Sequence, residues 1–347
     1  MAGPDPAKGE AMKVLIAGGC GFIGLATAER YLTDGADVVL FDRNDLHSVA
    51  RRAFDALPGR CTVVIGDIRK QEPIRRAVAD HDVDAVFYGA AVTSGADRER
   101  DAPESVIEVN LVGLAQTLKA AHNAGVKRLI NISSGSAYGT GALGATGWDG
   151  PLDEFGTREE PSSIYGMTKF GSERLVRRHA ELTGMDAVSV RLSTIFGAWE
   201  IDSGARDTLS APMQATLLAR DGKPALFARE DKLDWTYSRH VGRALQALMA
   251  APRERLKSDI FNVTSARQVS VMQMCTALKR RFPTFEYRLA TPGETPTINL
   301  FGDKDRFPMK PDRLADEAGH RLPDDLDATM ADFIGWLDDH GDFWAKN

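Results

Sequence analysis

The sequence predicts an α/β protein: a doubly wound parallel sheet followed by a smaller mixed α/β lobe. Three observations carry that reading. Short apolar runs at 13–17, 37–41, 61–65, 84–88, 127–132 and 186–192 alternate with helical patterns near 22–34, 45–56, 71–80, 103–124 and 163–183. Strand alternating with helix builds a parallel sheet covered on both faces. Three glycines spaced three apart follow the first run, and after about residue 195 the rhythm breaks.

The first run, Lys13 to Ala17, leads into Gly18, Gly21 and Gly24, with Phe22 and Ile23 opening a helical pattern. A tight glycine turn lets backbone approach a pyrophosphate, and the N–H groups of the next helix meet its negative charge. The second run ends in Asp42, at about the ~20-residue offset of a carboxylate that holds a ribose. Strand, glycine turn, helix and acid in this order predict a Rossmann-type dinucleotide site. Asp42 accepts a free 2′-hydroxyl and repels a 2′-phosphate, which favours NAD. The guanidinium of Arg43 next to it leaves NADP as the alternative.

Further along, Ala124-Gly125 and Thr183-Gly184 end two helices with left-handed cap signals. Residues 197–210 read as a loop, 211–221 and 238–251 as helices, Ile260 to Val263 as a strand, and 323–341 as an amphipathic helix. The stretch 291–312 is rich in Pro, Gly, Asp and Thr, and the irregular C-terminal third as a whole has the composition of a lid over a cofactor domain. The expected organisation is a dinucleotide-binding domain over 12–195 and 231–264. A discontinuous substrate-binding lobe takes 196–230 and 265–345, and 1–11 forms a loose N-terminal extension.

Composition bounds the function classes. The 347 residues are 43% apolar and 27% charged, enough for a sizeable core and a polar surface. A net charge of −6 speaks against general nucleic-acid binding. Cys20, Cys61 and Cys275 have no metal-ligand spacing and fit a reducing compartment, so no metal site is expected. No apolar run approaches the ~18 residues of a membrane span, and residues 1–11 lack the apolar core of a signal peptide. A cytoplasmic protein with no nucleic-acid or membrane partner is expected.

Tyr165 and Lys169 stand four apart, on one face of a helix. The strand at 127–132 runs into Ser133-Ser134-Gly135-Ser136-Ala137-Tyr138-Gly139. In an open parallel sheet the loops after the strands gather at one edge, where a dinucleotide also binds. Serine, tyrosine and lysine therefore converge on the nicotinamide. A phenol is too weak an acid near neutral pH to take part unless a positive charge favours its phenolate.

With these landmarks in order, and with Gly66-Asp67-Ile68, Gly89-Ala90-Ala91, Asn110, Arg191 and Phe196-Gly197 between and after them, the chain resembles the extended short-chain dehydrogenase/reductases of the NAD-dependent epimerase/dehydratase family. The resemblance spans residues 12 to 341. It implies that Asp67 and Ile68 hold the adenine, and that Ala90 lies along the cofactor near the phosphates. Tyr165 is then the proton-transferring residue, and Lys169 supplies charge and holds the nicotinamide ribose. Ser134 polarises the reacting oxygen, with Ser136 as a second candidate. Asn110 ties backbone near the site. A homodimer through the helices at 103–124 and 163–183 is also implied, with Val106, Val109, Ala115 and Leu118 on offer.

The chain departs from the family at three places. Nucleotide-sugar enzymes of this kind carry an asparagine where Thr194 stands, and an arginine where Leu233 precedes Asp234-Trp235. A diphosphate wants forked donors, and leucine offers none. Dehydratases place an acid pair where Gly135-Ser136 stands. A lone Arg206, near the carboxylates of Glu200 and Asp202, suits a single carboxylate or phosphate. Trp148, Trp199 and Trp235 are candidates to line the cavity. The expected activity is NAD-dependent hydride transfer from a secondary alcohol or hemiacetal of a sugar or sugar acid. A UDP-sugar epimerase with tightly bound NAD is the alternative, and a non-catalytic dinucleotide-binding regulator the third.

Overall fold

The computed structural model describes residues 12–144, 147–202, 204, 207–300 and 304–344. The expected N-terminal extension and Arg206 lie outside the described residues. Seven strands form one parallel sheet: β1 (Lys13–Ala17), β2 (Asp37–Asp42), β3 (Arg60–Ile65), β4 (Ala85–Tyr88), β5 (Arg128–Ser134), β6 (Ala187–Leu192) and, much later, Ile260–Val263. The spatial order is Ile260–Val263, β6, β5, β4, β1, β2, β3. Strand order reverses between β1 and β4, and a crevice at the carboxyl ends of such neighbours is where ligands bind in open α/β sheets.

Alternation along each strand sorts side chains into two layers. Val14 and Ile16 join one core cluster and Leu15 and Ala17 the other. Helices α1 (Phe22–Thr33) and α2 (Ser48–Asp55) cover the first layer, joined by the later helix Ser238–Ala250, which packs on α1. Helix α3 (Gln71–Ala79) covers the second.

The helix expected over 103–124 is divided. After α4 (Ala96–Asp101) come α5 (Pro103–Ile107), a π-helical turn over Glu108–Val112, and α6 (Gly113–Asn123). The π turn carries Asn110, which is buried. Helix α7 (Ile164–Thr183) follows as expected, ended by Gly184 at φ 73°. Val106 and Leu118 are buried within the protomer, so they offer nothing to a second chain. The exposed apolar side chains on these helices include Ile107, Val112, Ala115, Met167 and Leu182.

The remaining elements build two small sheets. Strands β7 (Thr194–Phe196), β9 (Leu233–Tyr237) and β11 (Gln268–Val269) form one, with β9 in the middle. Strands β8 (Ala225–Phe227) and β12 (Tyr287–Leu289) form the other, Ile260–Val263 being β10. Helices α8 (Ala211–Arg220), α9 (Ser238–Ala250), α10 (Val271–Arg281), α11 (Asp312–Ala318) and α12 (Leu326–Asp339) complete the chain. Trp199 and Trp235 are core residues, Trp199 meeting Trp336 edge-on at 5.0 Å. Trp148 packs against a small cluster around Tyr138 and Met309. None of the three lines the cavity described next.

Candidate active site

Two adjoining hollows run along the carboxyl edge of the sheet and share Gly18, Gly21, Gly89 and Ala91. The first, a cavity of about 310 Å³, is lined by the glycine loop, Ser134, Ser136, Tyr165, Lys169, Thr194 and Leu233, among others. The second, of about 210 Å³, is lined by Asp42, Arg43, Asp67, Ile68 and Ala90. The glycine motif, Asp42, Arg43, Asp67, Ile68, Ala90, Ser134, Ser136, Tyr165, Lys169 and Thr194 thus each border one of the two.

The glycine loop has a geometry only glycines accept. Gly18 adopts φ +77°, and a Cβ there would lie 2.7 Å from the backbone of Ala90. A Cβ on Gly24 would lie 2.3 Å from the Gly18 carbonyl. Gly21 differs: its Cβ would meet one atom, Gly18 O at 3.3 Å, so its outer face opens on the cavity. Gly21 is also the N-cap of α1, and no side chain caps that helix. An uncapped helix N-terminus behind an open glycine is a cradle for an anion, so the residues present fit a dinucleotide pyrophosphate.

At the far end, backbone N–H groups of Cys20 and Asn44 each donate to the Asp42 carboxylate, both at 3.1 Å. The acid is held in place where a ribose would lie. Arg43 is exposed and forms no ion pair among the described residues. Asp67 pairs with Arg69 at 2.7 Å, and that guanidinium holds its carboxyl below the usual range.

At the near end, α7 delivers Tyr165 and Lys169. Ser163 starts this helix by accepting the Gly166 N–H at 3.0 Å, and Glu99 accepts the Tyr165 N–H at 3.1 Å. The Lys169 ammonium sits 5.7 Å from the Tyr165 ring centroid and donates to the Ile132 carbonyl at 2.7 Å. Burial lowers its proton affinity, while Tyr165 and Glu173 push it back up. Asn110 fixes the same helix: its side chain bonds both backbone groups of Val92 and donates to Thr168 Oγ1 at 2.9 Å.

Ser134 ends β5. Its Oγ accepts the Ser136 N–H at 3.1 Å, which orients the hydroxyl and leaves its own proton for a ligand. Ser133 points into the protein and donates to Glu173 at 2.7 Å. Glu173 in turn holds the buried Arg191 through two bonds of 2.9 and 2.7 Å. Two expected pocket carboxylates are absent from the cavity. Glu200 is buried and accepts from both the N–H and the hydroxyl of Ser210, each at 2.6 Å. Asp202 accepts the Gly204 N–H at 3.2 Å.

Two charged groups of the cavity were not singled out from sequence. Asp234 lines it from β9, buried; burial pushes its carboxyl up to about 6. Arg306 lines it from the segment before α11. The run Lys304-Asp305-Arg306 offers no periodicity, and only the tertiary path carries it to Tyr165.

The sequence model of the NAD-dependent epimerase/dehydratase family matches residues 14–264. The chain is 26% identical to a UDP-glucose 4-epimerase of Lactobacillus helveticus over 78% of its length and 81% of the relative's. It is 26% identical to a dTDP-glucose 4,6-dehydratase of Mycobacterium tuberculosis over 96% and 90%. The UDP-glucose 4-epimerase of Thermotoga maritima, solved with UDP-glucose, superposes with a TM-score of 0.74 at 21% identity, covering 94% of this chain and 100% of that one. At that identity the superposition speaks for the fold alone.

Proposed function

Because the chain belongs to the NAD-dependent epimerase/dehydratase family, we propose that it is a net dehydrogenase of a free sugar or sugar acid. The observation that carries this reading is the wall formed by Thr194 and Leu233. Both line the cavity, and they offer one hydroxyl and one isobutyl group where a diphosphate needs forked cations. Gly135 and Ser136 stand at the same wall without a carboxylate, which leaves dehydration without its acid and base.

The substrate's secondary alcohol gives up its carbinol hydrogen with the bonding electrons and its hydroxyl hydrogen as a proton, and becomes a carbonyl. NAD, held by the glycine loop and Asp42, would supply the acceptor for the hydride. Tyr165 takes the proton at its phenolic oxygen and returns it to solvent. Lys169 keeps a positive charge beneath the ring and favours the anionic phenol. Ser134 donates to the reacting oxygen, holding the carbinol against Tyr165. Asp42 receives the ribose hydroxyls at the far end, with Asp67 and Ile68 against the adenine and Ala90 beside the phosphates. With this reading go a division into a dinucleotide domain and a substrate lobe, a homodimer, and a cytoplasmic location, the last supported by three free cysteines.

The test follows NADH absorbance with purified enzyme, NAD and a panel of free sugars, sugar acids and UDP-sugars. NADH accumulating with a free sugar or acid is expected. Tyr165→Phe should lower that rate by about 10²–10⁴-fold while NAD affinity stays unchanged. A UDP-sugar isomerised without NADH would replace this reading by the epimerase one.

A further inference from the structure

The cavity contains one open cation with no answering charge. Arg306 is exposed to the cavity and makes no side-chain hydrogen bond or ion pair among the described residues. Its neighbours' charges are engaged elsewhere. Asp305 pairs with Arg229 at 2.6 Å. Asp234, the one carboxylate on the cavity wall among the described residues, accepts from the Thr264 hydroxyl and from the Met309 N–H. The other cation, Lys169, is buried and donates to Ile132.

The backbone that carries Arg306 is fixed, although its side chain is not. The Arg306 carbonyl accepts from Gln268 at 3.0 Å, and the Phe307 N–H donates to Ala142 at 3.0 Å. Leu152 donates to the Pro308 carbonyl at 2.8 Å. An exposed guanidinium on a pinned segment, lining the cavity and unpaired among the described residues, is placed for a ligand anion. It lines the same cavity as Tyr165.

We infer that Arg306 binds the substrate carboxylate, so that the substrate is a polyhydroxy acid whose carboxylate lies near the carbon oxidised at Tyr165. One planar fork matches one carboxylate. A diphosphate needs more, and Ser136, Thr194, Ile195 and Leu233, also on the wall, offer it no cation. This inference rests on the dehydrogenase reading and narrows it, and it moves the anion contact from Arg206 to Arg306.

The experiment pairs aldonates of three to six carbons and hexuronates with their neutral alditols and aldoses, using the full chain with NAD. In parallel, D-gluconate, D-glucuronate, sugar phosphates and UDP are titrated calorimetrically into the enzyme–NADH complex. Acids should exceed their neutral partners in kcat/KM by tenfold or more. Arg306→Gln should raise KM or Kd for acids by at least tenfold, ~1.4 kcal/mol, and erase the preference. NAD affinity and thermal midpoint should not move, because the side chain holds no partner among the described residues. Arg306→Lys should keep part of the preference.

Equal use of neutral partners, acid binding unmoved by Arg306→Gln, or no acid bound at all would overturn the assignment. So would tighter, Arg306-dependent binding of UDP or a sugar phosphate. If a UDP-sugar is epimerised without NADH while acids still compete through Arg306, the dehydrogenase reading falls and the carboxylate site stands.

Discussion

Asp234 sits at the cavity wall with one carboxylate oxygen bonded and the other, Oδ1, without a partner among the described residues. The nearby Ser193 hydroxyl donates to Thr236 at 2.7 Å instead. A charge held there lacks full compensation, which is why burial raises its carboxyl to about 6. A native pKa above the unfolded one means that the folded state binds the proton more tightly. The stability it confers is complete below about pH 4 and is lost as pH rises through about 6. Asp234→Asn removes the charge and keeps an acceptor for Thr264 and Met309. Urea unfolding should show the Asn variant gaining on the parent by on the order of 2–3 kcal/mol between pH 4 and pH 7.5; parallel pH profiles would show that Asp234 carries no such cost. Tyr165 and Lys169 were legible in the sequence because helical spacing alone puts them on one face. Arg306 was not, because its position depends on where an irregular segment is sewn to 142 and 152.

The loop between β1 and α1 shows how one element divides its glycines between fold and ligand. Gly24 has no room: any Cβ meets the Gly18 carbonyl at 2.3 Å and Gly19 Cα at 2.8 Å. Gly24→Ala should therefore lower stability by about 1–3 kcal/mol as the turn is forced open, and NAD binding with it. Gly21 is less crowded, its Cβ meeting Gly18 O alone, at 3.3 Å, and it borders the cavity. Gly21→Ala should leave the unfolding midpoint near that of the parent and still weaken NAD binding by tenfold or more, because the methyl enters the cradle. Calorimetry and NAD titration on both variants separate the roles; equal loss of stability in the two would refute the division. Parallel strands and their helices were readable because burial on both faces writes continuous apolar runs. The π turn at Glu108–Val112 was not, since one extra residue in a helix leaves the apolar pattern nearly intact. Nor were the two small sheets, whose strands of two to five residues are too short for a period to show.

For the molecule as a whole, the question is what covers the outer face of α5, the π turn and α7. These segments pack on one another and expose Ile107 at 43%, Val112 at 42% and Met167 at 52%. Single exposed apolar residues need no explanation, but three on mutually packed helices are candidates for one covered face. The same helices carry Asn110, Tyr165 and Lys169 on their inner faces, so pairing two copies here would stiffen the wall that holds the proton-transferring residue. A two-fold pairing is self-complementary, and each side would bring the same three side chains. Burying an Ile, Val or Met side chain contributes about 1.5–3 kcal/mol, enough for charges at two of these positions to undo a dimer of moderate affinity. Light scattering should give twice the chain mass for the parent and the single-chain mass for an Ile107→Lys, Met167→Lys double variant. The variant should keep its fold by circular dichroism, since both positions face solvent in the protomer, and lose kcat more than NAD affinity, since the cradle lies on β1 and α1. A parent that scatters as a monomer would leave the patch without a second copy to meet.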